Sequence, residues 1–218
     1  MKEAPRTIDD LPFCGYLKPF EGNLGRDSDY DTTHFNESSF AEIDAGGCEF
    51  TESAFSSAIF DSCRLRRAQF NDVWMDAVRM MGTSAAESSW LDVELVSSIM
   101  AGIELFGANM RRVSFFNCKL DSLNFRTAKI QDVTFHHCLL RDVDFSSAVL
   151  KNVTFPGSML DGVAFSKSKL NRLDLRDANS LGISSGLKDL RGALISSAQL
   201  LSLAPAMADE LGIVVQDH

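Results

Sequence analysis

The 218-residue chain has no long uninterrupted apolar run, so no membrane-spanning helix is expected. Its start, MKEAPRTIDDLPF, has no apolar stretch of the secretory kind, and the expected location is cytoplasmic. Five cysteines (Cys14, Cys48, Cys63, Cys118 and Cys138) show neither a CxxC pair nor metal-ligand spacing. Reduced, packed thiols are therefore expected. There is no GxSxG elbow, phosphate loop or dinucleotide fingerprint. His136 and His137 read as a surface pair at a corner, without a carboxylate or thiol beside them. No catalytic residue, cofactor or metal is expected, and the chain does not read as an enzyme.

One charge is also missing locally. From Asp27 to Asp61 there are nine acidic residues and no lysine or arginine. The net charge of -9 divides into about -11 for residues 1–104 and about +2 for residues 105–218, so the molecule is electrically polar from end to end.

What is present is a period. In VTFHHCLLRDVDFSSAVLKNVTFPGSML, every fifth residue from Phe135 to Leu160 is a large apolar one, Phe alternating with Leu. The column runs unbroken in phase from Phe35 to Leu175, with only Ala45 and Ala85 small. Two positions earlier runs a second series of small or β-branched residues, such as Cys48, Ala58, Val113 and Cys138. A helix needs apolar spacings of three and four and a strand needs two. A pair two apart followed by a break suits a short extended segment and then a corner, repeated as a coil. Corners rich in Ser, Asn, Asp, Thr and Gly fit that reading. Stacked coils can satisfy their backbone groups on their neighbours. From Phe115 to Leu170 the true period is ten, so like stacks on like only if each coil has an even number of sides. Four sides of five residues is the smallest closed solution. It places Phe115, Phe135 and Phe155 on one wall and Phe125, Phe145 and Phe165 on the opposite one.

This five-residue pattern, with Leu or Phe at the centre and Ala, Cys or Val two before it, resembles the pentapeptide-repeat family over about residues 31–178. The resemblance implies an all-β solenoid, a right-handed quadrilateral β-helix. About seven four-sided coils would make a rod about 35 Å long. Residues 1–30, with three prolines and three glycines, do not fit the repeat and are expected to form an N-terminal cap segment. Residues 31–180 form the β-helix, and residues 181–218 form a C-terminal α-helical cap and dimerisation segment. There Leu200, Leu203, Met207 and Leu211 fall at helical spacing. Ser196 or Ser197 is the N-cap and Gly212 the stop, and Pro205 kinks or splits the helix. The small stretches Ala45–Gly47 and Met81–Ala86 are expected to loop or bulge.

Outside the bore, Ile59, Ile99, Leu139 and Met159 fall in one outward column, interrupted by Arg79 and Lys119, and make a possible apolar contact stripe. Trp74, Val96 and Phe116 fall on the adjacent wall. Within the family, the organisation is similar to the Qnr- and MfpA-type quinolone-resistance members. That resemblance implies a homodimer joined through the C-terminal segment. It also implies an acidic rod that imitates duplex DNA and binds DNA gyrase or topoisomerase IV. Glu37, Glu42, Asp44, Glu49, Glu52, Asp61, Asp72 and Asp76 would carry the acidic surface. The alternative is a structural scaffold that binds another macromolecule through its walls. Direct binding to nucleic acid or to a membrane is not expected.

Overall fold

A computed structural model describes residues 4–216. Residue n lies beside residue n+20 on the next coil almost throughout, always in parallel. The pairs Tyr30↔Phe50, Phe35↔Phe55, Phe40↔Phe60 and Asp44↔Arg64 show this on four successive sides. We number the walls by their inward residues. Tyr30, Phe50 and Phe70 begin the first wall, Phe35, Phe55 and Met75 the second, Phe40, Phe60 and Met80 the third, and Ala45, Leu65 and Ala85 the fourth. The first two walls share a 14-stranded sheet, because the strand Lys129–His136 turns the corner between them. The third wall is a separate eight-stranded sheet with one strand per coil, so the right-handed helix has about eight coils where the sequence suggested seven. The fourth wall is held by single bridges from Asp44 to Ala164.

The bore is filled as the period requires. Every fifth residue from Phe35 to Phe165 is buried, and Phe40, at 6 % exposure, is the least enclosed. Each such side chain contributes about 1.5–3 kcal/mol by burial, much of it offset by the entropy of ordering the chain. Phe115 and Phe135 stack at 4.7 Å and Phe135 and Phe155 at 5.0 Å on the second wall. Phe125 and Phe145 stack at 5.1 Å on the opposite, fourth wall. Polar residues two before the centre are buried too, and they earn their place by hydrogen bonding. Ser158 Oγ donates to the Phe135 carbonyl at 2.7 Å and accepts the Cys138 amide at 2.8 Å. In the same column Cys118 Sγ reaches the Phe116 carbonyl at 3.4 Å and Cys138 Sγ the His136 carbonyl at 3.3 Å. A contact with Cys118, together with burial, holds the Cys138 thiol well above its ordinary range.

The corners explain the five-residue step. Every fifth residue from Asp27 to Arg172 adopts φ between 46° and 73°. This left-handed turn costs a non-glycine residue on the order of 1 kcal/mol, and less for Asn and Asp. In return its amide points along the rod; that of Glu37 donates to the Ser56 carbonyl at 2.8 Å. The expected loops at Ala45–Gly47 and Met81–Ala86 do not form. Gly47 and Gly82 are ordinary left-handed corners, at φ 73° and 53°. At Gly47 a side chain would also collide with Asp27. Ala45 and Ala85 remain bore residues with no exposure. The coil containing Ala85 carries Trp90, which stacks on Phe70 at 4.2 Å, so volume lost at one side is restored at the next.

The two ends differ. Lys18–Pro19 pairs with Thr33–His34 as an extra strand, Phe20 lies over Phe35 at 4.5 Å, and Leu24 is buried, closing the N-terminal end. Residues 6–17 do not cap that end. They run along the second wall, where Leu11 and Phe13 pack against Ala54 and Trp74. At the other end one unbroken helix, Ser197–Glu210, contains Pro205 without splitting. Ser196 is its N-cap and exchanges hydrogen bonds with Gln199. Gln199 also donates to the Leu175 carbonyl at 2.7 Å and thereby seals the last coil.

Candidate interaction surfaces

The carboxylates expected at the surface are distributed over the corners and all four walls of the rod. Glu37, Glu42, Glu52 and Asp72 occupy left-handed corners. Glu49 projects from the first wall, Asp76 from the second, Asp61 from the third and Asp44 from the fourth. The eight carboxylates therefore form a collar around the N-terminal coils, not a row along one side. They are also not equivalent. Asp44 accepts the Gly46 amide and lies 3.2 Å from Arg26 and 3.5 Å from Arg64, which keep its carboxyl below the usual range. Partial burial raises Asp76, and burial followed by the neighbouring charge of Asp92 raises Asp72.

One corner does collect acid into a file. Glu52, Asp72, Asp92 and Asp132 follow one another up the rod, with Arg112 between the last two. Arg112 grips Asp92 through two hydrogen bonds, Nε at 2.6 Å and Nη2 at 2.5 Å. Asp132 accepts Asn152 Nδ2 at 2.6 Å and the Gln131 amide at 2.9 Å, and these bonds lower its pKa. Beside this file lies a cleft of about 420 Å³ whose lining includes the Arg6–Glu94 and Arg112–Asp92 ion pairs together with Asp72 and Asp132.

The Arg6–Glu94 pair was not legible from the period. Glu94, only 3 % exposed, accepts the Arg6 amide at 2.5 Å and Arg6 Nε at 2.9 Å. Trp74 Nε1 donates to the Arg6 carbonyl at 3.1 Å. Trp74, Val96 and Phe116 do project from the second wall, but all three are buried and not free contact surface. The N-terminal segment covers Trp74, and Phe116 stacks on His136 at 4.6 Å. His136 is thus a packed ring on this wall, while His137 is an exposed corner. The available sequence signal was the outward run Ala54, Trp74, Glu94 opposite two unassigned apolar residues, Leu11 and Phe13.

The apolar column on the third wall is real as a column: Ile59, Arg79, Ile99, Lys119, Leu139 and Met159 pair in succession. Ile59 and Met159 are exposed, Ile99 and Leu139 half-buried. At the C-terminal end Leu203 is buried and Met207 half-buried, whereas Leu200 and Leu211 are exposed at 49 % and 73 %. Leu201, Val214 and Val215 are more exposed still. Among the described residues no group of His, Cys, Asp and Glu is arranged to hold a metal, and no helix is long and apolar enough to cross a membrane.

Family profiles agree with this construction. A nine-copy pentapeptide-repeat profile matches residues 35–79, and a pentapeptide-repeat-region profile matches residues 88–165 and 104–188. No curated protein matched. Among solved structures, trypsin-treated QnrB1, a plasmid-mediated fluoroquinolone resistance protein, is 19% identical with a TM-score of 0.46, covering 91% of this chain and 96% of its own. HetL, a pentapeptide repeat protein involved in heterocyst differentiation regulation in the cyanobacterium Nostoc, is 15% identical with a TM-score of 0.25, covering 81% and 93%. A pentapeptide repeat protein of the Arabidopsis thaliana thylakoid lumen is 16% identical with a TM-score of 0.18, covering 83% and 77%. The repeat profiles, the twenty-residue coil and the unbroken bore together make this chain a member of the pentapeptide-repeat family.

Proposed function

We propose that this protein is a non-enzymatic, cytoplasmic binding protein. Its acidic N-terminal coils dock on the DNA-binding surface of a type II topoisomerase, DNA gyrase or topoisomerase IV, and modulate the enzyme or shield it from quinolones. The observation that carries this reading is the collar of carboxylates between Asp27 and Asp61, a stretch without lysine or arginine, mounted on a rigid lattice of fixed coil spacing. Surfaces built to hold phosphates attract any regular array of negative charge. In this division of labour residues 1–30 close and brace the acidic end, 31–180 present the walls, and 181–218 join two copies. The exposed Leu200, Leu201, Leu211 and Val214 support such a joint. A dimer of this kind has basic coils near its middle and acidic tips.

The second reading is a scaffold for some other macromolecule through the third-wall column. The exposure of Ile59 and Met159 favours it. Supercoiling by gyrase, titrated with the purified protein with and without a quinolone, separates the two. A change in supercoiling or in quinolone-stabilised cleavage is expected. Absence of any effect at micromolar protein and low salt leaves the scaffold reading.

A further inference from the structure

The outward residues of the first wall are exposed or half-buried along its length, unlike the second wall, which carries the N-terminal segment. Its outward side chains form two columns, and their charge runs in one direction. The first two coils present Asp29, Asp31 and Glu49. The middle coils present Gln69, Asn71, Ser89 and Leu91, all uncharged. The last four present Arg111, Lys129, Lys151 and Lys169, one per coil and alternating between the columns. These four cations are exposed, and none is ion-paired to a carboxylate among the described residues.

We infer that this wall is a docking surface for a second copy of the same chain, turned end for end. A two-fold axis along the strands, between the Ser89–Leu91 and Asn109–Arg111 strands, sets each column against itself in reverse. Asp29 then faces Lys169, Glu49 faces Val149 beside Lys151, Gln69 faces Lys129, and Leu91 faces Arg111. The acidic coils thus meet the last two basic coils, the uncharged coils meet those of Lys129 and Arg111, and like charges come within one coil of each other only at the two Arg111 side chains beside the axis. A polyanion would be repelled by the acidic coils and a polycation by the basic ones. A partner that spans the whole wall needs the opposite gradient, and the inverted chain supplies one. The wall is about 38 Å by about 10 Å, roughly 400 Å² per copy. That lies below the standard interface size, so the pair is weak, reversible and suppressed by salt. The inference is independent of the topoisomerase reading and of the C-terminal joint, which is apolar.

Sedimentation of the full chain at about 50 mM and about 500 mM salt tests it, since screening lengths differ severalfold between them. The mass is expected to rise at least twofold at low salt relative to high salt. Lys129→Glu with Lys151→Glu and Lys169→Glu should weaken that step by at least about tenfold. The exchanged variant, Asp29→Lys and Glu49→Lys with Lys151→Glu and Lys169→Glu, restores the gradient in reverse and should associate within about threefold of the native chain. If the triple reversal fails to fold by circular dichroism, Lys151→Gln with Lys169→Gln replaces it, with a smaller loss expected. Equal mass at both salts overturns the inference. So does an exchanged variant as weak as the reversal, or a mass that does not rise at low salt while the basic coils bind an oligonucleotide.

Discussion

The first four coils and the last four have the same backbone and differ in most side chains that meet water. Near the N-terminus the bore mixes Phe, Met and Trp, seven of the sixteen corners from Asp27 to Gly102 are acidic against one basic, and a separate segment is clamped along one wall. Toward the C-terminus the bore settles into alternation of Phe with Leu or Ile, and the first wall turns basic. The left-handed corner recurs in both halves with the same φ. The difference teaches that the five-residue step is a backbone requirement that tolerates exchange of bore volume between adjacent sides. What the molecule binds is left to positions that the step does not constrain.

The comparison can be broken first in the bore. Phe135→Ala in the regular half should cost about 3–5 kcal/mol in denaturant unfolding, because its ring is fully buried between Phe115 and Phe155. A near-neutral result would remove the claim that stacked columns hold the rod. The second test concerns the braced half alone. Glu94→Ala strips the N-terminal segment of the partner for both the amide and guanidinium of Arg6, at a cost of about 1–3 kcal/mol. Undocking should expose Trp74, red-shift its fluorescence and open residues 6–17 to protease, while the coils remain intact. Unchanged emission and protection would mean that Leu11 and Phe13 suffice to hold the segment.

These halves also differ in how much of them could be read from sequence. The bore was legible because a phase held from Phe35 to Leu175 admits one inward set, and the Phe–Leu alternation added the number of sides. Trp74 was placed correctly as outward, yet its cover was not foreseen. Its contact with Leu11 and Arg6 spans some sixty residues and leaves no period. Ala45 and Ala85 looked like breaks because a residue was judged alone, whereas the bore sums volume around a coil. The helix N-cap at Ser196 was visible through local hydrogen-bonding chemistry. The acidic residues were visible as composition, but their spread over four walls follows only from the twenty-residue register. That register also exposed the gradient on the first wall, which no linear count of charge reveals.

The central claim is that one tube carries two differently charged halves and that the acidic half does the binding. The most direct measurement is the affinity for purified gyrase of two charge-reversed chains beside the native one. The first carries Glu37→Lys, Glu42→Lys and Glu49→Lys, and the second carries Lys129→Glu, Lys151→Glu and Lys169→Glu. Each exposed contact is worth about 0.2–1 kcal/mol, so the first chain should bind several-fold to a hundredfold more weakly and the second no more weakly than the native chain. Equal loss in both, or loss only in the second, would contradict the account.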